Sequence, residues 1–312
     1  MNKINTAILA LSCLKGIGLY RLNRLISPLV SSEISEDQKE IDFFDLIETG
    51  IQEQIFSPML PISYFMEGYQ EAENILELCE QRQICVATPF DKKFPILLKF
   101  ENIVENRREC PPILFYQGDL SIFNKNKCVA MIGTRYPSDQ GYQANESVAR
   151  LLAQNNMTVV SGLAIGCDSA AHRGCLEING NTAAFLPGPL DFILPSSNKQ
   201  LAEKILSQGG CLLSEYPPQK KEFAVQKGNY IQRDRLQAMS SNAVVTSEFD
   251  RKSGTVHTIR YAHQYHKPIY ALEDMVRFKR IPLDFFDEEG IALNLFQTPD
   301  EMVEQIKKTP IL

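Results

Sequence analysis

Short apolar runs alternate with longer stretches of helical period over much of the chain. Between residues 127 and 272 the runs Cys128–Ile132, 157–160, 182–186, 211–213, Ala243–Thr246 and 268–272 are almost continuously apolar. That is the pattern of strands covered on both faces. The amphipathic stretches 143–154, 169–178, Lys199–Ser207 and 256–263 separate them. Strands alternating with helices of this length predict an α/β fold: an extended Rossmann-like, mostly parallel sheet with helices on both faces. A last helix is expected over Pro299–Lys308.

The first 80 or so residues have a different texture. Helices are expected over 6–14 and 19–29, joined by a Lys15-Gly16-Ile17-Gly18 turn, with Leu19, Leu22, Leu25, Ile26 and Leu29 at helical spacing. A further helix over 69–82 places Ala72, Ile75, Leu76 and Cys79 on one face. The Gly-Ile-Gly turn fits either a helix-hairpin-helix, whose amides hold a DNA phosphate, or a plain helix–helix turn. Residues 83–118 carry Pro89, Pro95, Pro111 and Pro112 and read as a connection. The expected organisation is a small all-helical domain over 1–82 and a Rossmann-like domain over 83–312.

Composition changes this picture little. The chain has 312 residues, 44% hydrophobic and 22% charged, as ordinary globular proteins do. No apolar run reaches the roughly 18 residues of a membrane span, and residues 4–14 lack a signal-peptide cleavage site, so no membrane association is expected. The eight cysteines are scattered without a CxxC pair, which argues for buried free thiols in the cytoplasm rather than a disulfide framework or zinc site. The net charge of −6 comes from residues 33–56, with eight acidic residues and one lysine; elsewhere 31 basic residues face 30 acidic ones. A broad basic surface is thereby excluded, a local basic pocket is not. The acidic segment reads as a solvated helix or a partner surface.

In an open parallel sheet, ligands bind beyond the carboxyl ends of the strands. The loops expected there are Gly133-Thr134-Arg135, then Ser161-Gly162-Leu163-Ala164-Ile165-Gly166-Cys167-Asp168 with His172, then Ser214-Glu215, then Glu248 followed by Lys252-Ser253-Gly254-Thr255. Glycine beside Ser or Thr at a helix start offers amides and hydroxyls to an anion, and Arg135 adds a charge-assisted contact. Such glycines also serve simply to turn a chain; three of these loops at one edge favour an anion or nucleotide site. Neither a GxGxxG nor a P-loop motif is present. No nucleophile stands beside a base, so no catalytic residue, metal or cofactor is expected.

Residues Lys220-Lys221-Glu222-Phe223 and Lys227-Gly228-Asn229-Tyr230-Ile231-Gln232-Arg233-Asp234-Arg235 supply a cation, an aromatic and two arginines. Phosphates meet the cations and a base stacks on Tyr230 in a single-strand site; the alternative is a solvated turn with Tyr230 packed inward.

Together these loops resemble the DprA/Smf family of bacterial DNA-processing proteins. The resemblance runs over residues 94–272 and is carried by Phe94-Pro95, the segment 112–118, Gly133-Thr134-Arg135, the segment 161–168 with Ala171-His172-Arg173-Gly174, Pro187-Gly188-Pro189-Leu190-Asp191, Gly210, Ser214-Glu215 and Ser253-Gly254-Thr255. It implies a dimer that binds single-stranded DNA, shields incoming strands from nucleases and helps load a RecA-type recombinase in transformation, with no enzymatic role. It also implies DNA contacts at Arg135, Lys227, Tyr230, Arg233 and Arg235, with the Gly133, Ser161-Gly162 and Ser253-Gly254-Thr255 loops shaping the pocket.

The chain departs from the family's pattern in places. Asp234 stands where the family usually has Asn, Cys167 replaces a usual Ile, and Thr246-Ser247-Glu248 is more polar than usual. The 40 residues after Leu272 are too few for the winged helix many relatives carry, so a divergent member without one is expected. If Asp234 faces the pocket it repels phosphate; if it pairs with an arginine it holds that arginine in place. The rival reading is a small-nucleotide sensor or a phosphoribohydrolase-like enzyme on the same sheet, with Glu248 and Asp168 as acid/base or ribose-binding groups. Against it, the loop around Ser253 lacks the paired glycines of such enzymes.

Overall fold

The computed structural model describes residues 3–31, 41–99, 109–219, 221 and 223–309. The first part of the acidic segment, through residue 40, lies outside them, as do Lys220 and Glu222. The chain opens with helices α1 (Lys3–Ser12), α2 (Leu19–Ser31), α3 (Phe43–Gln52) and α4 (Ile62–Gln81). Helix α3 occupies the rest of the acidic segment, and two of the acidic residues there start it. Asp42 accepts from the amides of Phe44 and Asp45, while Asp45 accepts from the Asp42 amide.

Strands β1 (Cys85–Ala87) and β2 (Leu114–Gly118) follow, where the prolines suggested only a connection. A short helix α5 (Ile122–Lys125) leads to the regular alternation: β3 (Cys128–Ile132), α6 (Asp139–Gln154), β4 (Thr158–Ser161), α7 (Cys167–Leu176), β5 (Thr182–Phe185), α8 (Lys199–Ser207) and β6 (Cys211–Ser214). Then come α9 (Lys227–Met239), β7 (Ala243–Thr246), α10 (Thr255–Gln264), β8 (Ile269–Leu272), α11 (Glu273–Arg277), α12 (Leu283–Glu289), β9 (Asn294–Phe296) and α13 (Pro299–Lys308).

The described strands form one sheet in the order β1-β2-β6-β5-β4-β3-β7-β8-β9. From β6 to β9 every neighbour is parallel, whereas β1 with β2 and β2 with β6 are antiparallel. Strand β3 shows why such runs read as continuously apolar. Val129 and Met131 join the cluster under α6 and α13, while Ala130 and Ile132 join the one under α10 and α12. A third cluster runs from Ile4, Ile8 and Leu11 of α1 through Phe115 of β2 to Leu213 of β6 and Met239 of α9.

Between β3 and β7 the strand order reverses: β4, β5 and β6 lie to one side, β7, β8 and β9 to the other. A crevice opens at such a switch point because the loops leaving the two strands diverge to opposite faces.

Candidate nucleic-acid interface

The crevice is present as a cavity of about 350 Å³ at the carboxyl ends of β3, β4 and β7. Its wall comes from Gly133–Tyr136 after β3, Ala164 and Asp168 after β4, Asp250 and Lys252–Thr255 after β7, and Tyr230, Arg233, Asp234 and Gln237 on α9.

The three loops are tied to one another. The Thr134 amide donates to the Glu248 carbonyl at 2.7 Å, and the Cys167 amide donates to the Thr134 carbonyl at 3.1 Å. Asp168 accepts from the amides of Gly162 and Ala164, closing the β4 loop around its carboxylate. Gly166 adopts φ +81°, and a Cβ there would stand 2.5 Å from the Arg135 carbonyl oxygen, so the loop needs glycine to pass under Arg135.

The residues singled out in the sequence separate into two groups. Gly133, Arg135, Tyr230, Arg233, Ser253, Gly254 and Thr255 all line the cavity. Arg135 is exposed, and its guanidinium carbon lies 5.1 Å from the centre of the Tyr230 ring, a cation–π arrangement that presents charge and aromatic face together. Lys227 opens α9 as an exposed cation and does not line the cavity. With Arg260 it adds to the effect of burial in pushing the His257 imidazole down.

Ser161 and Gly162 lie beneath the floor. The Ser161 hydroxyl donates to the Met131 carbonyl at 2.7 Å, and the Gly162 carbonyl accepts from Arg233 at 2.6 Å. Arg235 is not brought to the cavity. It is 1% exposed, forms a two-pronged ion pair with Glu215 at 2.7 and 3.0 Å, and donates through Nε to the Glu109 carbonyl. The reason is helical geometry: at 100° per residue, positions 233 and 235 point about 200° apart.

Arg233 is itself a floor support. Its Nη1 bridges the carbonyls of Gly162 and Phe185, and its Nε donates to Asp234 Oδ1 at 3.0 Å. Asp234 thus both pairs with an arginine and faces the cavity. Burial pushes its carboxyl up to about 6 against the pull of Arg233. Burial also raises the Asp168 carboxyl, with Arg233 again opposing.

The acid/base candidates of the rival reading are engaged. Glu248 Oε2 accepts from the Ser138 amide and hydroxyl at the start of α6, and Asp168 holds its loop amides. His172 is buried, with Nδ1 2.7 Å from the Thr182 hydroxyl. Among the described residues no group of three or more His, Cys, Asp and Glu is placed to hold a metal ion.

Sequence reasoning missed four wall residues, among them Asp250 in the loop after β7. Tyr136, 81% exposed, was signalled by an aromatic directly after Gly133-Thr134-Arg135. Gln237 and Thr258 gave no such signal and enter only because helices α9 and α10 carry them to the wall.

The fold and cavity define an extended Rossmann-like protein with a polar crevice at its switch point. The chain belongs to the DNA recombination-mediator protein A family, whose model matches residues 85–284. It is 32% identical over 267 residues to Protein Smf of Synechocystis, covering 85% of this chain and 63% of that protein's length. It is 26% identical over 255 residues to DNA processing protein DprA of Bacillus subtilis, covering 81% and 82%. Among solved structures, the fold matches DprA of Streptococcus pneumoniae with a TM-score of 0.71 at 24% identity, over 98% of this chain and 99% of that one. It also matches a DNA processing protein A of Helicobacter pylori, in a study of its single-stranded DNA binding mode, with a TM-score of 0.60 at 30% identity. That match covers 72% of this chain and 96% of the other.

Proposed function

We propose that this protein binds single-stranded DNA across the carboxyl edge of its sheet. Phosphates lie along the rim at Arg135, Lys227 and Lys252, and bases stack on Tyr230 and Tyr136. The observation that carries the reading is the Arg135–Tyr230 pair, an unburied guanidinium over an aromatic ring at the mouth of the switch-point cavity. Such a pairing suits a strand that offers phosphate and base faces in alternation. The single-stranded DNA binding of the Helicobacter pylori relative supports it.

Within the same reading the protein shields incoming single strands and helps load a RecA-type recombinase, as its membership of a recombination-mediator family favours. It acts as a homodimer, two cavities then engaging one strand with raised effective concentration. Residues 1–82 form its helical domain and 83–312 its Rossmann-like domain, the two sharing one apolar core. The eight free cysteines suit the cytoplasm, and no described helix is long and apolar enough to cross a membrane.

Fluorescence anisotropy with labelled oligo-dT and its duplex, at two salt concentrations, tests the reading. The wild type is expected to bind the single strand selectively, and Arg135→Ala and Tyr230→Ala to lose about ten-fold or more. Arg135→Ala should also flatten the logarithmic salt dependence by about 0.7 per lost phosphate contact. Equal affinity for duplex and single strand, unaltered by Arg135→Ala, would refute it.

A further inference from the structure

Helix α4 carries more than a buried face and a solvated one. Phe65, Gly68, Ala72, Ile75 and Cys79 turn inward, so close to α1 that a Cβ on Gly68 would stand 2.5 Å from the Ala10 carbonyl oxygen. On another side, Ile62, Met66, Tyr69, Glu73, Glu77 and Glu80 fall within about 80° of one another at 100° per residue. That stripe is apolar over its first turns and acidic over its last. Ile62 and Met66 are 57% and 43% exposed, and the three glutamates are exposed with them.

The apolar half of the stripe borders a groove of about 410 Å³ between α1, α3 and α4, its lining including Lys3, Phe43, Phe44, Met66 and Tyr69. The Phe43 and Tyr69 rings pack 5.2 Å apart, whereas Phe44 is 53% exposed. Met59, 90% exposed, stands three residues ahead of Ile62. Single exposed apolar side chains are ordinary, but a group of them beside an open groove marks an interaction surface. The charge around it has one sign. Between residues 41 and 81, four carboxylates on or beside α3 and five on α4 stand without a lysine or arginine. Lys3 of α1 is the sole cation among the residues lining the groove.

We infer that the α3–α4 face docks a basic amphipathic helix of a partner protein. Its apolar side chains enter the groove beside Phe44 and Met66, and its lysines or arginines lie along Glu73, Glu77 and Glu80. A helix fits because residues 62 to 80 offer a straight track of roughly 27 Å, met by anchors at i, i+4 and i+7. Charge complementarity selects a basic protein segment and repels a nucleic-acid backbone. A second copy of this chain is disfavoured, since a symmetric contact would set the same carboxylates against each other. The inference is independent of the single-strand reading, because none of these residues lines the switch-point cavity.

The test is anisotropy titration of the full chain with a labelled 18-residue peptide of leucine, alanine and lysine. Its leucines occupy i, i+4 and i+7, and its lysines follow on the same face. This peptide is expected to bind about ten-fold or more tightly than its scrambled sequence or a version with glutamate for lysine. Phe44→Ala with Met66→Ala should weaken it about ten-fold, and Glu73→Lys with Glu77→Lys should turn the preference to the glutamate peptide. Equal binding of the matched and scrambled peptides, or affinity unaltered by both double variants, would overturn the inference. So would displacement of the peptide by oligo-dT, or a solution mass that falls by half in Phe44→Ala with Met66→Ala, which would make this face a contact between copies. Failure of the wild type to bind oligo-dT would bring down the single-strand reading and leave this one standing.

Discussion

Arg233 and Arg235 stand two residues apart on one helix and serve opposite sides of it. Arg233 braces the cavity floor through the carbonyls of Gly162 and Phe185, while Arg235 closes on Glu215 and the Glu109 carbonyl behind it. Both are more than nine-tenths buried.

Removing the second should therefore act on the fold. Arg235→Ala leaves the Glu215 carboxylate without its ion-pair partner, a change that typically costs about 3–5 kcal/mol. Urea denaturation is expected to show that loss, whereas Arg135→Ala at the exposed rim should stay within about 0.5 kcal/mol of wild type. Equal stability of Arg235→Ala and wild type would contradict the burial and pairing described.

Two glycines of the site should respond oppositely to alanine. A Cβ at Gly162 would stand 2.5 Å from Arg233 Cζ and force the guanidinium off its two carbonyls. Gly162→Ala is expected to lose about 3 kcal/mol or more. At Gly254 the nearest atom to an added Cβ is Asp234 Oδ2 at 3.9 Å, so Gly254→Ala should stay within about 0.5 kcal/mol. Thermal melts of the two variants decide the point.

His172 should remain neutral in the folded protein at every pH the fold survives. Burial, with help from Arg233, pushes its imidazole down to about 3, against an unfolded value near 6.5. A base lowered in this way leaves stability intact above pH 6.5 and removes it as pH falls toward 3, because only the unfolded chain takes up the proton. In NMR titration from pH 8 to 4.5 the His172 ring signals should hold still; a midpoint near 6.5 would rule this out.

Asp234 has the opposite sign. Burial raises it to about 6, Asp168 on α7 adds to the rise, and Arg233 and Arg135 oppose it. An acid raised on folding costs stability above its folded pKa, and the cost fades as pH falls through 6 toward 4. Asp234→Asn is expected to exceed the wild type in stability at pH 7.5, by up to about 3 kcal/mol. The gap should shrink to about a third of that by pH 4.5; one that stays constant across that range would exclude the assignment.

Much of the parallel sheet was legible because a strand covered on both faces must be apolar throughout, as Cys128–Ile132 and Ala243–Thr246 are. Strand order was not, since it is set by which helices cross which face, and with it the switch point stayed hidden. Strands β1 and β2 were masked by neighbouring prolines and by the shortness of β1. Helix α9 was the costliest omission: Arg233, Asp234, Arg235 and Gln237 are all buried on it, so a segment that reads as surface is interior. The Arg135 and Ser253 loops were recognisable because several loops with glycine beside Ser or Thr fall at the same edge of the sheet, although any one of them could serve simply to turn the chain.

The apolar cluster from Ile4 through Phe115 and Leu213 to Met239 runs without a break from the first helix to the middle of the sheet. Severing the chain near Gln83 would thus not release two self-contained bodies. Each fragment would carry half of one oily interior, and the two, expressed together, should find each other and rebuild the protein without a covalent link.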